Sequence, residues 1–175
     1  MTLSAPRAPA QPARSQSFAA TAEAHLDDVY GYLVYMTRNP GLAEDLTADT
    51  FEKALRNWRH FDARRASART WLCQIARTTA LDWFRAEERR QRREERAAAS
   101  ERVEPALVEG LSPELEAGLA SLSAGEREVI ALRVLLELDG DEASRVLGIS
   151  PTAVSTRLSR ALKKLEERVV RHVAV

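Results

Sequence analysis

The sequence predicts an all-α protein built from two small helical domains joined by a flexible linker. Strand signals are nearly absent from its 175 residues, and apolar residues recur at three- and four-residue steps instead. All ten aromatic residues lie at or before Phe84, so the C-terminal half must pack aliphatic side chains alone. A chain of this length accommodates one or two small domains.

The charge composition argues against a polycationic nucleic-acid binder. The 26 basic and 26 acidic residues give a net charge of zero, so any affinity for DNA must come from local patches. The single cysteine, Cys73, excludes an internal disulfide and a cysteine-rich zinc site, which suits a reducing compartment. No segment approaches transmembrane length. We therefore expect a cytoplasmic protein without membrane insertion, and no cofactor.

The first domain is expected over residues 18–95. Residues 1–17, with three prolines, two arginines and no acid, are expected to form a disordered tail. A helix is predicted over residues 40–58, and another begins at about Thr70. Their predicted core positions are Ala43, Leu46, Thr50, Phe51, Ala54 and Trp58 on the first helix, and Leu72, Ile75, Ala76, Thr79, Ala80 and Trp83 on the second.

The second domain is expected over residues 112–172, after a linker of residues 96–111. The arginine- and glutamate-rich segment that follows Phe84 favours an extension of the preceding helix, and its later part lacks periodic apolar residues. Ser112-Pro113 and the Ser123/Glu126 capping box each mark a helix start. Together with the two helices of the next motif, this gives four helices around a small core.

Residues 139–165 have the pattern of a helix-turn-helix. Asp139 and Glu142 have capping-box spacing, and Gly148 stands where a helix can end in a left-handed conformation. Ser150-Pro151 then supplies an N-cap and a proline at the first position of a new helix. In this motif the second helix enters the major groove of DNA.

The second helix of this motif carries a polar, basic face opposite an apolar stripe. Arginine forms paired hydrogen bonds with guanine, and serine and threonine suit bases or phosphates. The alternative is an ordinary amphipathic helix with a solvated basic face. The candidate DNA-binding residues are Thr152, Ser155, Thr156, Arg157, Arg160, Lys163 and Lys164.

The outer face of the helix over residues 40–58 is acidic, with Asp45, Asp49 and Glu52 on it. It could be a solvated face, with Asp49–Lys53 and Glu52–Arg56 as ordinary pairs one turn apart. Such pairs do not explain why Asp45 and Asp49, which carry the same charge, stand one helical turn apart. A metal site is disfavoured because no histidine lies nearby in sequence.

Basic side chains stand beside aromatic ones between Arg59 and Arg90. This combination suits a single-stranded nucleic acid, whose phosphates need cations and whose bases need stacking partners. Core packing is the alternative for the tryptophans: it is favoured for Trp83 and left open for Trp71. The candidate residues are Arg64, Arg65, Arg69, Trp71, Arg77 and Thr78.

Three separated segments of the chain resemble one protein family, and they follow one another in the order typical of that family. The segments are AEDLTADTFEKALRNW, TWLCQIARTTALDWFR and LSAGEREVIALRVLLELDGDEASRVLGISPTAVSTRLSRALKKL. They are similar to bacterial RNA polymerase sigma factors of the extracytoplasmic-function (ECF) class. The resemblance implies a region 2 bundle, which binds the polymerase clamp and opens the minus-ten element. It also implies a region 4 helix-turn-helix, which binds the minus-thirty-five element, and a linker that threads through the core enzyme.

The resemblance also implies a role for each candidate surface. Asp45, Asp49 and Glu52 correspond to the clamp-binding surface, whose like charges await a basic partner. The arginines and Thr78 of the first domain would border the opened minus-ten strand, and the basic face of the last helix would meet the minus-thirty-five groove. The implied partners are core RNA polymerase, promoter DNA and an anti-sigma factor.

Several positions depart from the usual family pattern. Ala48 replaces a common glutamine, Thr78 an asparagine at the pocket for a flipped base, Ser155 a basic residue and Ser159 a histidine. Ala143 and Ser144 replace the usual Ile-Ala in the first helix of the motif, which implies looser packing there. These changes imply that the promoter sequence cannot be copied from a relative.

Two other functions are alternatives to a sigma factor. A stand-alone helix-turn-helix regulator would leave the acidic face without a purpose. An enzyme is disfavoured because the three histidines are scattered and no phosphate loop or nucleophile motif is present.

Overall fold

The computed structural model of the chain describes residues 17–95 and 113–173, and all regular structure in these two ranges is helical. The predicted linker and all but the last residue of the predicted tail lie outside the described residues. The helices are α1 Phe18–Thr37, α2 Pro40–Asn57, α3 Ala68–Glu95, α4 Pro113–Ala120, α5 Ala124–Ile130, α6 Gly140–Leu147 and α7 Pro151–Val173. The prediction of an all-α fold is confirmed.

Helices α1, α2 and α3 pack against one another as the first domain. The Asn39 side chain caps α2 by accepting a hydrogen bond from the Leu42 amide at 3.1 Å, and Pro40 follows at the first helical position. Helix α3 begins slightly before the predicted Thr70, because the Ser67 hydroxyl accepts a hydrogen bond from the Thr70 amide at 3.1 Å. The starts of α2 and α3 are therefore set by side chains that accept hydrogen bonds from the first free backbone amides.

The predicted core positions of α2 and α3 face inward. Eight are buried, while Phe51, Trp58, Ile75 and Trp83 are half-buried at the edge of the core. The core also takes Val29, Tyr32 and Leu33 from α1, with each side chain at most 1% exposed.

Trp71, which the sequence left open, packs among aromatic rings. Its ring centroid lies 5.2 Å from that of Phe61 and 5.9 Å from that of Trp58. Trp71 is half-buried in this aromatic cluster, so one part of the indole packs and another meets solvent.

Helices α4 to α7 form the second domain, as predicted, with α7 packed against the other three. Its core is aliphatic: Leu119, Leu122, Val129, Ile130, Leu132, Leu136, Leu138, Ala143, Val146, Leu147, Val154 and Ala161. Helix α5 continues into a π-helical segment over Ala131–Leu135, in which the Leu136 amide donates to the Ala131 carbonyl. The wider turn buries Leu132 but leaves Val134 and Leu135 about half exposed.

The turn between α6 and α7 depends on Gly148. This residue has φ of 67°, in the left-handed region, and its amide donates to the Ser144 carbonyl at 2.8 Å. The Ser144 hydroxyl in turn donates to the Ile149 carbonyl at 2.6 Å, which fixes the chain as it turns into α7.

The capping box of α5 includes a long-range ion pair. A carboxylate oxygen of Glu126 accepts from the Ser123 amide at 2.8 Å, and the other lies 2.6 Å from the Lys164 ammonium on α7. The hydrogen bond from Lys164, followed by that from Ser123, lowers the pKa of Glu126 to about 2. The box therefore ties α5 to α7.

We expect Gly148→Ala to destabilise the protein by roughly 1–2 kcal/mol, because a Cβ in the left-handed region clashes with its own backbone. Gly140→Ala, at the start of the same helix, is the matched control, since a Cβ meets nothing within 4 Å at either glycine and Gly140 does not have a positive φ. Denaturant unfolding of both variants checks this. Equal free energies of unfolding would contradict the role given to Gly148.

We expect Lys164→Met to lower the free energy of unfolding by about 1 kcal/mol at neutral pH. The folded-state pKa of Glu126 lies below its ordinary 4.5, so this stability is present above that pH and is lost as the pH falls towards about 2. Unfolding curves across this range measure the difference. Lys163→Met, the exposed neighbour, should show no such pH dependence, and a pH-independent loss in Lys164→Met would contradict the pair.

Candidate nucleic-acid and polymerase interfaces

The outer face of α7 presents most of the candidate DNA-binding residues to solvent. Val154 and Ala161 are buried on its inner face, which turns the polar side chains outward. The hydroxyls of Ser155 and Thr156 donate to carbonyls one turn earlier, at 3.2 and 2.9 Å, and can still accept hydrogen bonds. The exposed members are Thr152, Ser155, Thr156, Arg160, Lys163 and Lys164.

Arg157 lies lower on this face, half-buried against the start of α5. A Cβ placed on Gly125 would lie 3.1 Å from an Nη atom of Arg157, so the guanidinium packs closely on the α5 backbone. Arg157 and Arg160 line a polar groove with Ser123 and Thr156. Lys164 is the exception among the seven, because its ammonium is paired with Glu126.

The acidic residues of α2 lie on one exposed face, as predicted. Among the described residues, neither Asp45 nor Asp49 forms an ion pair, whereas Glu52 pairs with Arg56. The Asp49–Lys53 pair of the alternative, a solvated face, does not form: the Lys53 ammonium donates to the Thr79 hydroxyl at 3.1 Å. The like charges at 45 and 49 therefore stay uncompensated.

An apolar hollow borders this acidic face. It lies between α1 and α2, has a volume of 370 Å³, and is lined by Leu26, Tyr30, Ala48 and Phe51 among others. Leu26 is 47% exposed beside it. Ala48, a departure from the family pattern, leaves room at its edge, so the surface offers both charge and apolar area.

The structure divides the candidate minus-ten residues into two groups. Arg64 and Arg65 are exposed in the loop before α3, and the Arg64 guanidinium lies 3.1 Å from Asp62. Thr78 is exposed on α3, with its hydroxyl bonded to the Ile75 carbonyl at 2.8 Å. Arg65 and Thr78, with the open part of Trp71, can reach a strand without rearrangement, whereas the Arg64 guanidinium forms two hydrogen bonds with the Asp62 carboxylate within the loop.

Arg69 and Arg77 are instead bound within the protein. Arg69 forms two hydrogen bonds of 2.8 Å with Asp28 on α1. Burial alone would raise the pKa of Asp28, but the Arg69 hydrogen bond holds it below its usual value. Arg77 forms two with Glu128 on α5, at 3.0 and 3.3 Å. Sequence reasoning did not anticipate these partners.

Glu128 and Glu142 join the two domains. Glu142 on α6 accepts hydrogen bonds from the Ser67 and Thr70 hydroxyls at the start of α3, at 3.2 and 3.0 Å. From the sequence alone, Glu142 is predicted only as a cap and Glu128 has no predicted role. A signal was present, because Glu128 stands one helical turn before the buried Leu132, where an exposed acid is not expected.

The described residues contain no group of three histidine, cysteine, aspartate or glutamate side chains placed to hold a metal ion. Among the helices of the two described ranges, none is long and apolar enough to cross a membrane.

Comparison with known proteins now places the chain in a family. Residues 21–90 match Sigma-70 region 2, and residues 112–165 match Sigma-70, region 4. The ECF RNA polymerase sigma factor SigX of Bacillus subtilis is 27% identical, over 88% of this chain and 84% of its own. The ECF RNA polymerase sigma factor SigC of Mycobacterium tuberculosis is 32% identical, over 77% of this chain and 73% of its own.

A solved structure shares the fold. The sigma factor RpoE of Bartonella quintana, in complex with the anti-sigma factor NepR, superposes with a TM-score of 0.72 over 87% of this chain and 96% of its own, at 23% identity. The two matched regions are the two helical domains described above, in the same order. The chain belongs to the ECF family of RNA polymerase sigma factors.

Proposed function

We propose that this chain binds core RNA polymerase through α2, opens the minus-ten element with α3 and reads the minus-thirty-five element with α7. The observation that carries the proposal is that one chain presents an uncompensated acidic face and, on a separate domain, the polar face of a helix-turn-helix. Sigma factors are non-catalytic regulatory proteins, and we assign the chain no enzymatic activity. Family membership does not favour the stand-alone regulator.

Polymerase binding is assigned to Asp45, Asp49 and Glu52 together with the adjacent apolar hollow. The unpaired carboxylates of Asp45 and Asp49 attract a basic surface and orient it as it approaches. The hollow lined by Leu26 and Phe51 supplies apolar area that charge alone does not. An acidic rim around an apolar centre is the arrangement expected for a specific protein interface.

We expect Asp45→Arg/Asp49→Arg to abolish co-elution with bacterial core RNA polymerase, because the reversed charges would repel a basic partner. The matched control is Asp82→Arg/Glu88→Arg, which reverses two exposed acids on α3 of the same domain. Size-exclusion chromatography of the mixed proteins measures the association. Retained co-elution of the α2 variant, with its helix content intact, would contradict the assignment.

Strand opening is assigned to the loop before α3 and to α3 itself. Arg64, Arg65, Arg69 and Arg77 would contact phosphates of the separated strand, and Trp71 and Thr78 would border a captured base. Unstacking a base step costs on the order of a few kcal/mol, which distributed contacts of this kind offset. The mechanism converts binding energy into strand separation without making or breaking a covalent bond.

Minus-thirty-five recognition is assigned to the outer face of α7. Its small hydroxyl side chains come first and its cations follow, which suits base edges near the helix start and phosphates further along. Arg157 is half-buried and packs against Gly125, which restricts its side chain more than that of the exposed Arg160. Restricting a side chain before it binds lowers the entropy cost of the contact.

We expect Arg157→Ala to weaken binding of the polymerase complex to its promoter by roughly 1–3 kcal/mol and to relax specificity at one base pair. Binding to a panel of minus-thirty-five sequences measures both effects. Lys163→Ala is the matched control, since loss of an exposed phosphate contact should weaken every sequence alike. If Arg157→Ala also weakened every sequence equally, Arg157 would contact phosphate rather than a base.

The assignment of the chain as a sigma factor also bears on its regulation, its domain boundaries and its location. We propose an anti-sigma factor as a partner, which the family relationship supports. An apolar cleft of 480 Å³ between the domains, bordered by the half-exposed Val134 and Leu162, offers a surface for a protein. We propose that the functional domains span residues 18–95 and 112–172. We also propose that they act in the cytoplasm, together with the polymerase.

A further inference from the structure

We propose that the exposed end of α3 is a further DNA-binding surface, which holds the phosphate backbone of the paired DNA beside the opened minus-ten element. We call Arg85, Arg89 and Arg93, which form this surface, the α3 stripe. This inference rests on the role proposed for α3 in minus-ten binding. It assigns a ligand to a part of the helix to which no function has yet been given.

The first observation is that α3 is longer than the core against which it packs. The helix ends at Glu95, but its last buried side chain is that of Ala80, and Phe84 is the last that packs against the core. From Arg85 to Arg93 every side chain is exposed except that of Glu87, which is half-buried. At about 1.5 Å per residue, this stretch projects roughly 13 Å past the core. Its side chains are therefore available to a partner.

The second observation is that the three arginines lie on the same side of α3 as Thr78. Arg85 follows Thr78 by two helical turns, and Arg89 and Arg93 follow at four-residue steps. Trp71 stands two turns before Thr78 on this side. The side of α3 that would border the separated strand therefore continues, as a line of cations, beyond the domain.

The third observation is that the ion pairs of this segment leave the α3 stripe charged. Glu87 and Glu88 pair with Arg90 and Arg92, so these four charges cancel along the helix. The first arginine of the stripe lies 3.3 Å from Asp82. Within the described part of the chain, neither of the other two forms an ion pair. The last one donates its Nε hydrogen to a backbone carbonyl at 3.2 Å, which uses one of its five N–H groups.

The chemistry of the α3 stripe fits the backbone of paired DNA. All ten aromatic residues lie at or before Phe84, so this end of α3 offers cations and no ring on which an unstacked base could rest. Single-stranded DNA needs such rings as well as cations, whereas the backbone of a duplex needs cations alone. Arg93 lies about 22 Å along the helix axis from Thr78, which corresponds to about six base pairs. The stripe can therefore reach from a captured base to the neighbouring duplex.

The test measures how DNA binding by the full-length chain in complex with core RNA polymerase depends on salt. The probe is a labelled promoter DNA that the wild-type complex selects from a random pool. Each cation that neutralises one phosphate of a duplex adds about 0.9 to the slope of log affinity against log salt concentration. The test variant is Arg89→Gln/Arg93→Gln. The control is Arg90→Gln/Arg92→Gln, which removes the same charge from two paired arginines of the same segment.

We expect the test variant to lower this slope by about 1.8, because two phosphate contacts are lost. Its disadvantage in affinity against the wild type should accordingly shrink about tenfold between about 50 and 200 mM salt. The control should keep the wild-type slope. Arg89→Lys/Arg93→Lys should also keep it, because lysine binds phosphate as a point charge.

Two probes with uncharged methylphosphonate linkages locate the contact. One carries these linkages on both strands of about six base pairs on each side of the element, and the other carries them on the separated strand within it. The difference in slope between the wild type and the test variant should disappear with the first probe and persist with the second. The opposite result would show that the α3 stripe binds the separated strand, and the proposal would be wrong.

An unchanged slope in the test variant would overturn the proposal. A change as large in the control would also overturn it, because the stripe would then act only through the overall charge of a solvated face. Failure of the proposed function is distinguishable. A wild-type chain that does not associate with core polymerase would refute the sigma-factor role of α2. The same slopes would then be compared for the chain alone on a duplex of mixed sequence, with the same two outcomes.

Discussion

The ion pair between Arg77 and Glu128 is the contact on which the arrangement of the two domains depends. A carboxylate as buried as that of Glu128 is stable as an anion only with a cation bound to it, and α3 supplies that cation from the other domain. Removing Arg77 would leave the Glu128 carboxylate without a counter-charge and almost without water, because its side chain is 7% exposed. The pair therefore couples the packing of the second domain to the position of α3.

Although the net charge of the chain is zero, its acidic and basic residues lie on different faces. Acids collect on α2, cations collect on α7, and many of the remaining charges pair locally along α3. Neither face is strong enough to hold a large partner by long-range attraction alone. Affinity must come from several surfaces used together, as expected for a subunit that binds polymerase and DNA at once.

Local chemistry allowed much of this structure to be predicted from the sequence. Capping boxes, the glycine at the α6 end and the apolar periodicity identified the second-domain helices, because each signal acts within a few residues. Partners far apart in sequence could not be found in this way. Arg69 and Arg77 have the composition of nucleic-acid contacts, and only tertiary packing shows that Asp28 and Glu128 bind them. The partner of Lys164 could not be predicted from the sequence for the same reason, since Glu126 lies on another helix.

The π-helical segment at Ala131–Leu135 holds one more residue than the same turn of an α-helix would. Deleting one residue there would convert the wide turn into a regular α-helical turn and leave the flanking elements in nearly the same orientation, because the wide turn already accommodates the extra residue. The same deletion from a regular α-helix would rotate the flanking elements by about 100° relative to each other. The segment at Ala131–Leu135 is therefore the place in the second domain where the chain can lose a residue while α7 keeps its orientation.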